Sequence, residues 1–504
     1  MLPTRPNADP RQRRAPSVII VGAGFGGVAA AIELRRRGFT EVTLIDCAPE
    51  VGGTWYYNSY PGCACDVPSH LYSFSFAQRR EWSRLCSPRE EILHYLQGVA
   101  REHGVDRLLV PSTEVTACTF SDTTRRWTAA AADGRSWEAD AVILATGQLH
   151  QPAFPELEGA ERFTGHGFHS ARWDHDYELA GKRVAVIGTG ASAVQFVPEI
   201  ADRVAKLHVF QRTGNWFLPR RNRPYPRFVR AAIAYLPGVQ AFRRRFVYEY
   251  GETLTLMIRH PRTFGRIGRA RAAMFMRWQL RDPELRRQVW PDYTFGCKRV
   301  LFSSHFLPAL QRANVELVNE PPVRMTAGGV LTADGVERRV DCVIYGTGFR
   351  TTRFMLPMEV TGASGLPLRT VWGEGAHAHL GITVPGFPSL FLMYGPNTNT
   401  SGGSIIVYEE AQAAYIRQAL EHVRDRGAAA IDVRADVESA SDRVVQARFR
   451  ETAWTQCDSW YRNETGRIVA NWPGYMREYE QRLRVLDPAE YELLPLPELA
   501  PAAS

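Results

Sequence analysis

The fold class predicted by the sequence is α/β, with two Rossmann-like βαβ units and a helical insertion. Three observations predict it. Residues 17–46 run from an apolar stretch, Val18-Ile19-Ile20-Val21, through a glycine cluster and a helical pattern over Ala29, Ile32 and Leu34, to a second apolar stretch, Val42 to Ile45. That order reads strand, turn, helix, strand. Residues 183–212 repeat it, with Val184-Ala185-Val186-Ile187, a second glycine cluster, a segment through Val194 and Ile200, and Leu207 to Phe210. From Tyr225 to Arg299 the texture turns helical and basic, with 16 Lys and Arg against five acids.

The remaining elements follow in order. Ser87-Pro88-Arg89-Glu90 reads as a capping box with Pro at the first helical position, opening a helix to about His103. Short β-type runs at Glu114 to Phe120 and Trp127 to Ala131 lead, as a meander, into the apolar strand Ala141 to Leu144. Asp341 to Ile344 and Ser389 to Tyr394 are further buried-strand candidates, and a helix is expected from about Glu409 to Arg426.

Composition narrows the class. At 504 residues there is room for about three domains. No run of about 18 uncharged apolar residues occurs, so no membrane-spanning helix is expected. Met1 to Ser17 is polar and Arg-rich without an apolar core; residues 1–16 read as a disordered tail, not a secretion signal, which points to the cytoplasm. Eight cysteines are too sparse for a disulfide scaffold, and Cys63 and Cys65 form CxC instead of the CxxC of redox and zinc motifs. The cysteines are expected to be reduced and structural, and no metal site is expected. A formal charge of +8 suits anionic cofactors, an acidic membrane surface or nucleic acid. A solvated insertion at 225–295 is the plain reading of most of it, and membrane-surface contact the sharper one.

The first glycine cluster, Gly22-Ala23-Gly24-Phe25-Gly26-Gly27, is a GxGxxG between strand and helix. Gly22 permits the tight turn, Gly24 lets backbone approach a pyrophosphate, and Gly27 lets helix pack on strand. Asp46 ends the second strand, where a carboxylate accepts from ribose hydroxyls, as in FAD binding. The second cluster, Gly188-Thr189-Gly190-Ala191-Ser192-Ala193, is GxGxxA, and its second strand ends in Gln211-Arg212-Thr213. A cation there pairs with a 2'-phosphate, so this unit selects NADPH over NADH. An acidic and a basic dinucleotide unit in one chain describe an FAD protein fed by NADPH. Ala145-Thr146-Gly147 and Gly346-Thr347-Gly348 read as crossings between the two domains. The FAD domain is then discontinuous, 17–150 and 349–504, with the NADPH domain at 151–224 and 296–348.

Phe163-Thr164-Gly165-His166-Gly167-Phe168-His169-Ser170-Ala171-Arg172-Trp173-Asp174 joins the halves. By spacing alone it is a loop with a His and a Trp at a domain boundary. The segment resembles the FxGxxxHxxxW(P/D) fingerprint of type I Baeyer–Villiger monooxygenases at Phe163, Gly165, His169, Trp173 and Asp174. Flavin-containing monooxygenases that oxidise nitrogen and sulfur are similar but lack the Trp-Pro/Asp ending. The resemblance runs from Ser17 to about Arg484. It takes in Gly52-Gly53-Thr54-Trp55, Tyr60-Pro61-Gly62, Cys65-Asp66, Ser69 to Phe76, Gly296-Cys297-Lys298-Arg299 and, near the end, Trp454, Ser459-Trp460-Tyr461, Gly466-Arg467 and Trp472-Pro473-Gly474. One departure is Gly62-Cys63-Ala64, where many members carry Gly-Ala-Arg.

The resemblance implies a C4a-peroxyflavin that adds to a ketone and yields an ester or lactone, with NADPH and O2 consumed. It assigns Arg299 to stabilise the peroxide and Asp66 to position Arg299. It also implies FAD contacts from Gly53, Thr54, Trp55, Asp66, Tyr72 and Val115. NADP contacts fall to Thr189, Gly190, Ala191, Ser192, Ala193, Gln195, Arg212, Thr213, Lys298 and Arg299. His169 and Trp173 act through domain motion and cofactor placement. Competing readings are N- or S-oxygenation, an NADPH-dependent disulfide reductase that would need CxxC, and a basic nucleic-acid- or membrane-binding protein. The particular ketone and the oligomeric state are not legible; Asn397 to Ile405 and the insertion are expected to line the pocket.

Overall fold

The computed structural model describes residues 14–220, 222–352, 354–355 and 357–497. The first βαβ unit is β1 (Val18–Val21), α1 (Phe25–Arg36) and β2 (Val42–Ile45), followed by α2 (Arg89–Glu102), β3 (Leu109–Val110) and β4 (Ala141–Leu144). Next come β5 (His166–His169), β6 (Arg183–Ile187), α3 (Ala193–Ile200) and β7 (Lys206–Phe210). The basic stretch forms α4 (Arg227–Tyr235), α5 (Val239–Arg259), α6 (Phe264–Gln279) and α7 (Pro283–Val289). The chain then supplies β8 (Val315–Val318), β9 (Cys342–Tyr345), β10 (Leu390–Leu392) and α8 (Ile405–Arg426).

Two five-stranded parallel sheets organise the molecule. The first has the order β10-β4-β1-β2-β3, with Val18 level with both Val42 and Ala141. The second has the order β8-β7-β6-β9-β5. Their central strands read as unbroken apolar runs because helices or loops cover both faces: Val18–Val21 and Ala141–Leu144 are buried at every position. β10 joins the first sheet from nearly 250 residues beyond β4, so that sheet draws on both ends of the chain. α1 packs against α8, where its run of small residues, Gly26 to Ala31, permits close approach. The meander forms as expected, from Val115–Ser121, Arg126–Ala131 and a third strand, Ser136–Ala139; Glu359–Thr361 adds to it in parallel.

Two expectations require correction. The capping box does not form. Pro88 takes the N-cap position in extended backbone and α2 starts at Arg89 without a side-chain cap. Ser87 is buried and its amide donates to Ser69 Oγ at 2.9 Å, so it belongs to the core packing, and Glu90 and Glu91 instead offer charge to the helix dipole. The cysteines are not all reduced: Cys297 and Cys457 are disulfide-bonded, 160 residues apart. That separation carries no spacing signal, because the pair is made only when the segment before Lys298 meets the loop before Trp460. Of the other six, Cys63, Cys65, Cys86, Cys118 and Cys342 are buried as small hydrophobes. Burial pushes the Cys63 thiol up to about 12, far from a reactive thiolate.

Candidate active site

Both glycine clusters open onto one cavity of about 1740 Å³. The backbone dictates their composition. A Cβ on Gly27 would lie 1.8 Å from the Gly22 carbonyl oxygen, so only glycine lets α1 close on β1. Gly188 has φ +106, and a Cβ there would lie 2.5 Å from the Gly346 carbonyl oxygen, at the predicted crossing. α1 begins after Gly24 and α3 after Ser192, and neither start has a side-chain cap. No side chain therefore competes with an anion at the start of α1; at α3, Val194 and Gln195 already donate to the Gly190 and Ser192 carbonyls, so an anion would meet the turn before them, at Ala191 to Ala193. A Cβ on Gly190 would meet nothing within 4 Å, leaving room for a phosphate. The cradles fit two dinucleotides.

Asp46 ends β2 at the wall of this cavity, with Oδ2 accepting from the Ala23 amide at 2.5 Å and Oδ1 from the Ala48 amide at 2.7 Å. It braces the first glycine turn and keeps lone pairs for a ribose. Gly53, Thr54, Trp55, Tyr72 and Val115 line the same cavity, and Trp55 Nε1 donates to Tyr72 Oη at 3.1 Å. Of the residues expected at the cradles, Gly27 and Ala193 lie behind the lining; each sits where helix meets strand.

On the other side Thr189, Gly190, Ala191, Ser192, Arg212 and Thr213 line the wall. Lys298 Nζ donates to Thr213 Oγ1 at 2.9 Å. Burial and the neighbouring Arg212 hold the Lys298 ammonium below its ordinary value, the signature of cations gathered for an anion. Gln195 also reaches the lining, but its amide is committed elsewhere. Its Oε1 accepts from Tyr60 Oη at 3.2 Å and from the Ala64 amide at 3.1 Å, while Nε2 donates to Ala64 O at 2.9 Å. It clamps α3 to the loop at which the chain departs from Gly-Ala-Arg.

Arg299 Nη2 donates to Asp66 Oδ2 at 2.6 Å, and both line the cavity onto which the two cradles open. Burial pushes the Asp66 carboxyl up, but Arg299 and Arg220 outweigh it and hold it below the usual range. Asp66 in turn raises Arg299. The pair stays ionised at any working pH, with the guanidinium facing the cavity. Arg220, which the sequence reading missed, donates to Cys65 O at 2.7 Å and fixes the backbone next to Asp66.

No fingerprint residue lines the cavity. The Phe163 ring fills the space beside Gly165, where a Cβ would lie 2.4 Å from its Cζ. His169 ends β5 opposite Tyr345, immediately before the Gly346-Thr347-Gly348 crossing, between Phe154 and Phe349. Burial lowers its imidazole to about 4, so it is neutral. Trp173 packs on Phe196 of α3 and on Phe168, and Asp174 pairs with His166 at 2.8 Å. These contacts tie the linker to the second sheet.

Glu409 was also missed. It lies on α8 beside Gly26, lines the cavity, and has a buried Oε2 without a hydrogen-bond partner. Burial, with Glu410 adding to it, pushes its carboxyl up to about 8. Such a group contributes stability in full below about pH 4, and the contribution is lost as pH rises towards about 8. Glu409→Gln should therefore gain thermal stability over the native chain progressively from pH 5 to 8. Parallel melting curves for the two proteins across that range would show that the carboxyl titrates normally.

The profile of the pyridine nucleotide-disulphide oxidoreductase family matches residues 16–240. A Baeyer–Villiger monooxygenase of Streptomyces coelicolor is 41% identical over 95% of this chain and 92% of its own length. Among solved structures, an oxidized steroid monooxygenase bound to NADP superposes with a TM-score of 0.85 at 28% identity, over 95% of this chain and 99% of that one. The OTEMO complex with FAD and NADP gives a TM-score of 0.85 at 26% identity, over 95% and 100%. A likeness sustained over nearly the full length, with the linker fingerprint intact, places this chain in the Baeyer–Villiger monooxygenase family.

Proposed function

We propose that the chain binds FAD on the first sheet and NADPH on the second, and converts a ketone to an ester or lactone. The balanced reaction is ketone, O2, NADPH and a proton to ester, NADP+ and water. Residues 17–150 and 349–504 serve as the FAD domain, 151–224 and 296–348 as the NADPH domain, and 225–295 as an insertion. The carrying observation is that the ionised Arg299–Asp66 pair lines the same cavity as the two helix N-termini, neither of which has a side-chain cap.

Bound FAD supplies the hydride acceptance and the dioxygen activation. The chain's part is placement and charge. The α1 N-terminus and Asp46 hold one dinucleotide, and the α3 N-terminus, Arg212, Thr213 and Lys298 the other. Arg299, always charged, stabilises negative oxygen at the reacting centre, and Asp66 fixes its direction. Phe242, Phe246, Val247, Leu254 and Trp460 give the cavity an apolar wall that suits a carbon-rich ketone. His169 and Trp173 set the geometry of the crossing without touching the reactants.

The test is to mix the yellow protein with NADPH, oxygen and a panel of ketones and sulfides, and to follow product mass. One added oxygen on ketones is expected. Oxygen added only to sulfides would favour the heteroatom-oxygenating branch, and a flavin reduced by NADPH that transfers no oxygen would overturn the reading.

A further inference from the structure

The helical insertion carries an exposed apolar surface that borders the cavity and extends beyond it. Ten of the seventeen exposed large apolar side chains among the described residues fall within 225–295. They are ordered. On α6, Phe264, Ile267, Arg271, Met274 and Trp278 follow a 3-4-3-4 spacing, a single helix face, with Met274 69% and Trp278 75% exposed. On the adjoining α5, Phe242, Phe246 and Tyr250 lie four residues apart, Phe242 70% and Phe246 63% exposed. Arg271 from one stripe and Phe242, Phe246 and Tyr250 from the other line the same cavity, so both stripes border it.

Charge selects the occupant. Residues 225–295 hold 14 arginines and five acids. Arg262 and Arg266, next to the α6 stripe, form no ion pair among the described residues. A second copy would set one strongly basic face against another, which repels. The undescribed residues 1–13 are basic themselves, with three arginines against one aspartate. Large rings interleaved with arginines on amphipathic helices match an anionic bilayer, where the rings enter the acyl boundary and the guanidinium groups meet the headgroup phosphates.

We propose that α5 and α6 form a docking surface for an anionic lipid bilayer, with the cavity mouth opening on the docked face. An apolar ketone dissolved in the lipid would then reach the cavity without crossing water. That last consequence rests on the proposed oxygenation; the docking itself does not.

The experiment is sedimentation of the FAD-loaded protein, without substrate, with vesicles of phosphatidylcholine alone or mixed equally with phosphatidylglycerol. Binding to the anionic vesicles at low salt, weakened by added salt, is expected. The combined Ile267→Ser, Met274→Ser and Trp278→Ser variant should bind less by on the order of tenfold or more. These three side chains do not line the cavity, so turnover of a water-soluble ketone should persist, which separates loss of docking from loss of fold. Arg262→Glu with Arg266→Glu should weaken binding to the anionic vesicles alone. The proposal is overturned if the anionic vesicles do not sediment the protein, or if the triple variant binds as well as the native chain. It is equally overturned if duplex DNA binds as tightly as the vesicles, or if light scattering shows a dimer that the triple variant dissociates.

Discussion

Arg299→Ala is expected to lower ester formation by on the order of a thousandfold while leaving FAD retention and NADPH oxidation in place. The charge it removes is fixed in position by the 2.6 Å bond to Asp66 and does not titrate in the working range. Donors set in advance at the site of developing negative charge cost no reorganisation during reaction, which is why a single one carries so large an effect. Without the guanidinium the cavity would lack the fixed positive charge that holds negative oxygen for transfer to the ketone, so NADPH consumed would appear as hydrogen peroxide instead of ester. Asp66 also changes character: burial alone raises its carboxyl, and the main cation opposing that is gone. Arg299→Lys should recover only part of the activity, because an ammonium is a point charge that cannot present the planar fork and loses its proton more readily when desolvated. The measurement is the ratio of ester to hydrogen peroxide per NADPH consumed. Full ester yield from Arg299→Ala would remove the residue from the reacting centre and leave it as a second phosphate ligand beside Lys298.

Both cradles were legible because their chemistry is local: a turn, a close helix–strand approach and an anion site need glycines at fixed offsets, and Gly27 and Gly188 sit where the backbone tolerates nothing larger. The strands were legible as apolar runs, to within a residue or two. β3, β5 and β8 were not: β3 is two residues long, Val315–Val318 is interrupted by Glu316, and His166–His169 carries no apolar period and is a strand only through its pairing with β9. Ser87 misled because its motif is local while its burial is tertiary. Arg220 acts through a partner 155 residues away and Glu409 through a cavity wall, and the Cys297–Cys457 bond spans 160, so no spacing rule reaches them; Gln195 was placed by resemblance as an NADP contact, but its bonds to Tyr60 and Ala64 were not foreseen. Arg299 and Asp66 were placed by resemblance. Their 233-residue separation gives elementary chemistry nothing to pair until the fold closes.

The largest effect on cofactor choice is expected from Arg212→Ala combined with Lys298→Ala: at least a hundredfold rise in the KM for NADPH, with that for NADH changed little. Neither cation forms an ion pair among the described residues. Burial and Arg212 together hold the Lys298 ammonium low, and Asp292 and Asp458 offset this only in part. Two cations held near each other are mutually unfavourable until an anion arrives, and a 2'-phosphate carries the charge that relieves them. Hydrogen bonds to such a group contribute about 1.5–3 kcal/mol each, so losing two of them exceeds a hundredfold. NADH lacks the phosphate and gains nothing from either residue. The single Lys298→Ala variant separates phosphate binding from support of the loop, since Thr213 Oγ1 loses its donor in the same step. If the kcat with NADPH falls while both KM values stay put, Lys298 orders the segment leading into Arg299. If the double variant raises the two KM values equally, the basic end of β7 does not read the phosphate at all.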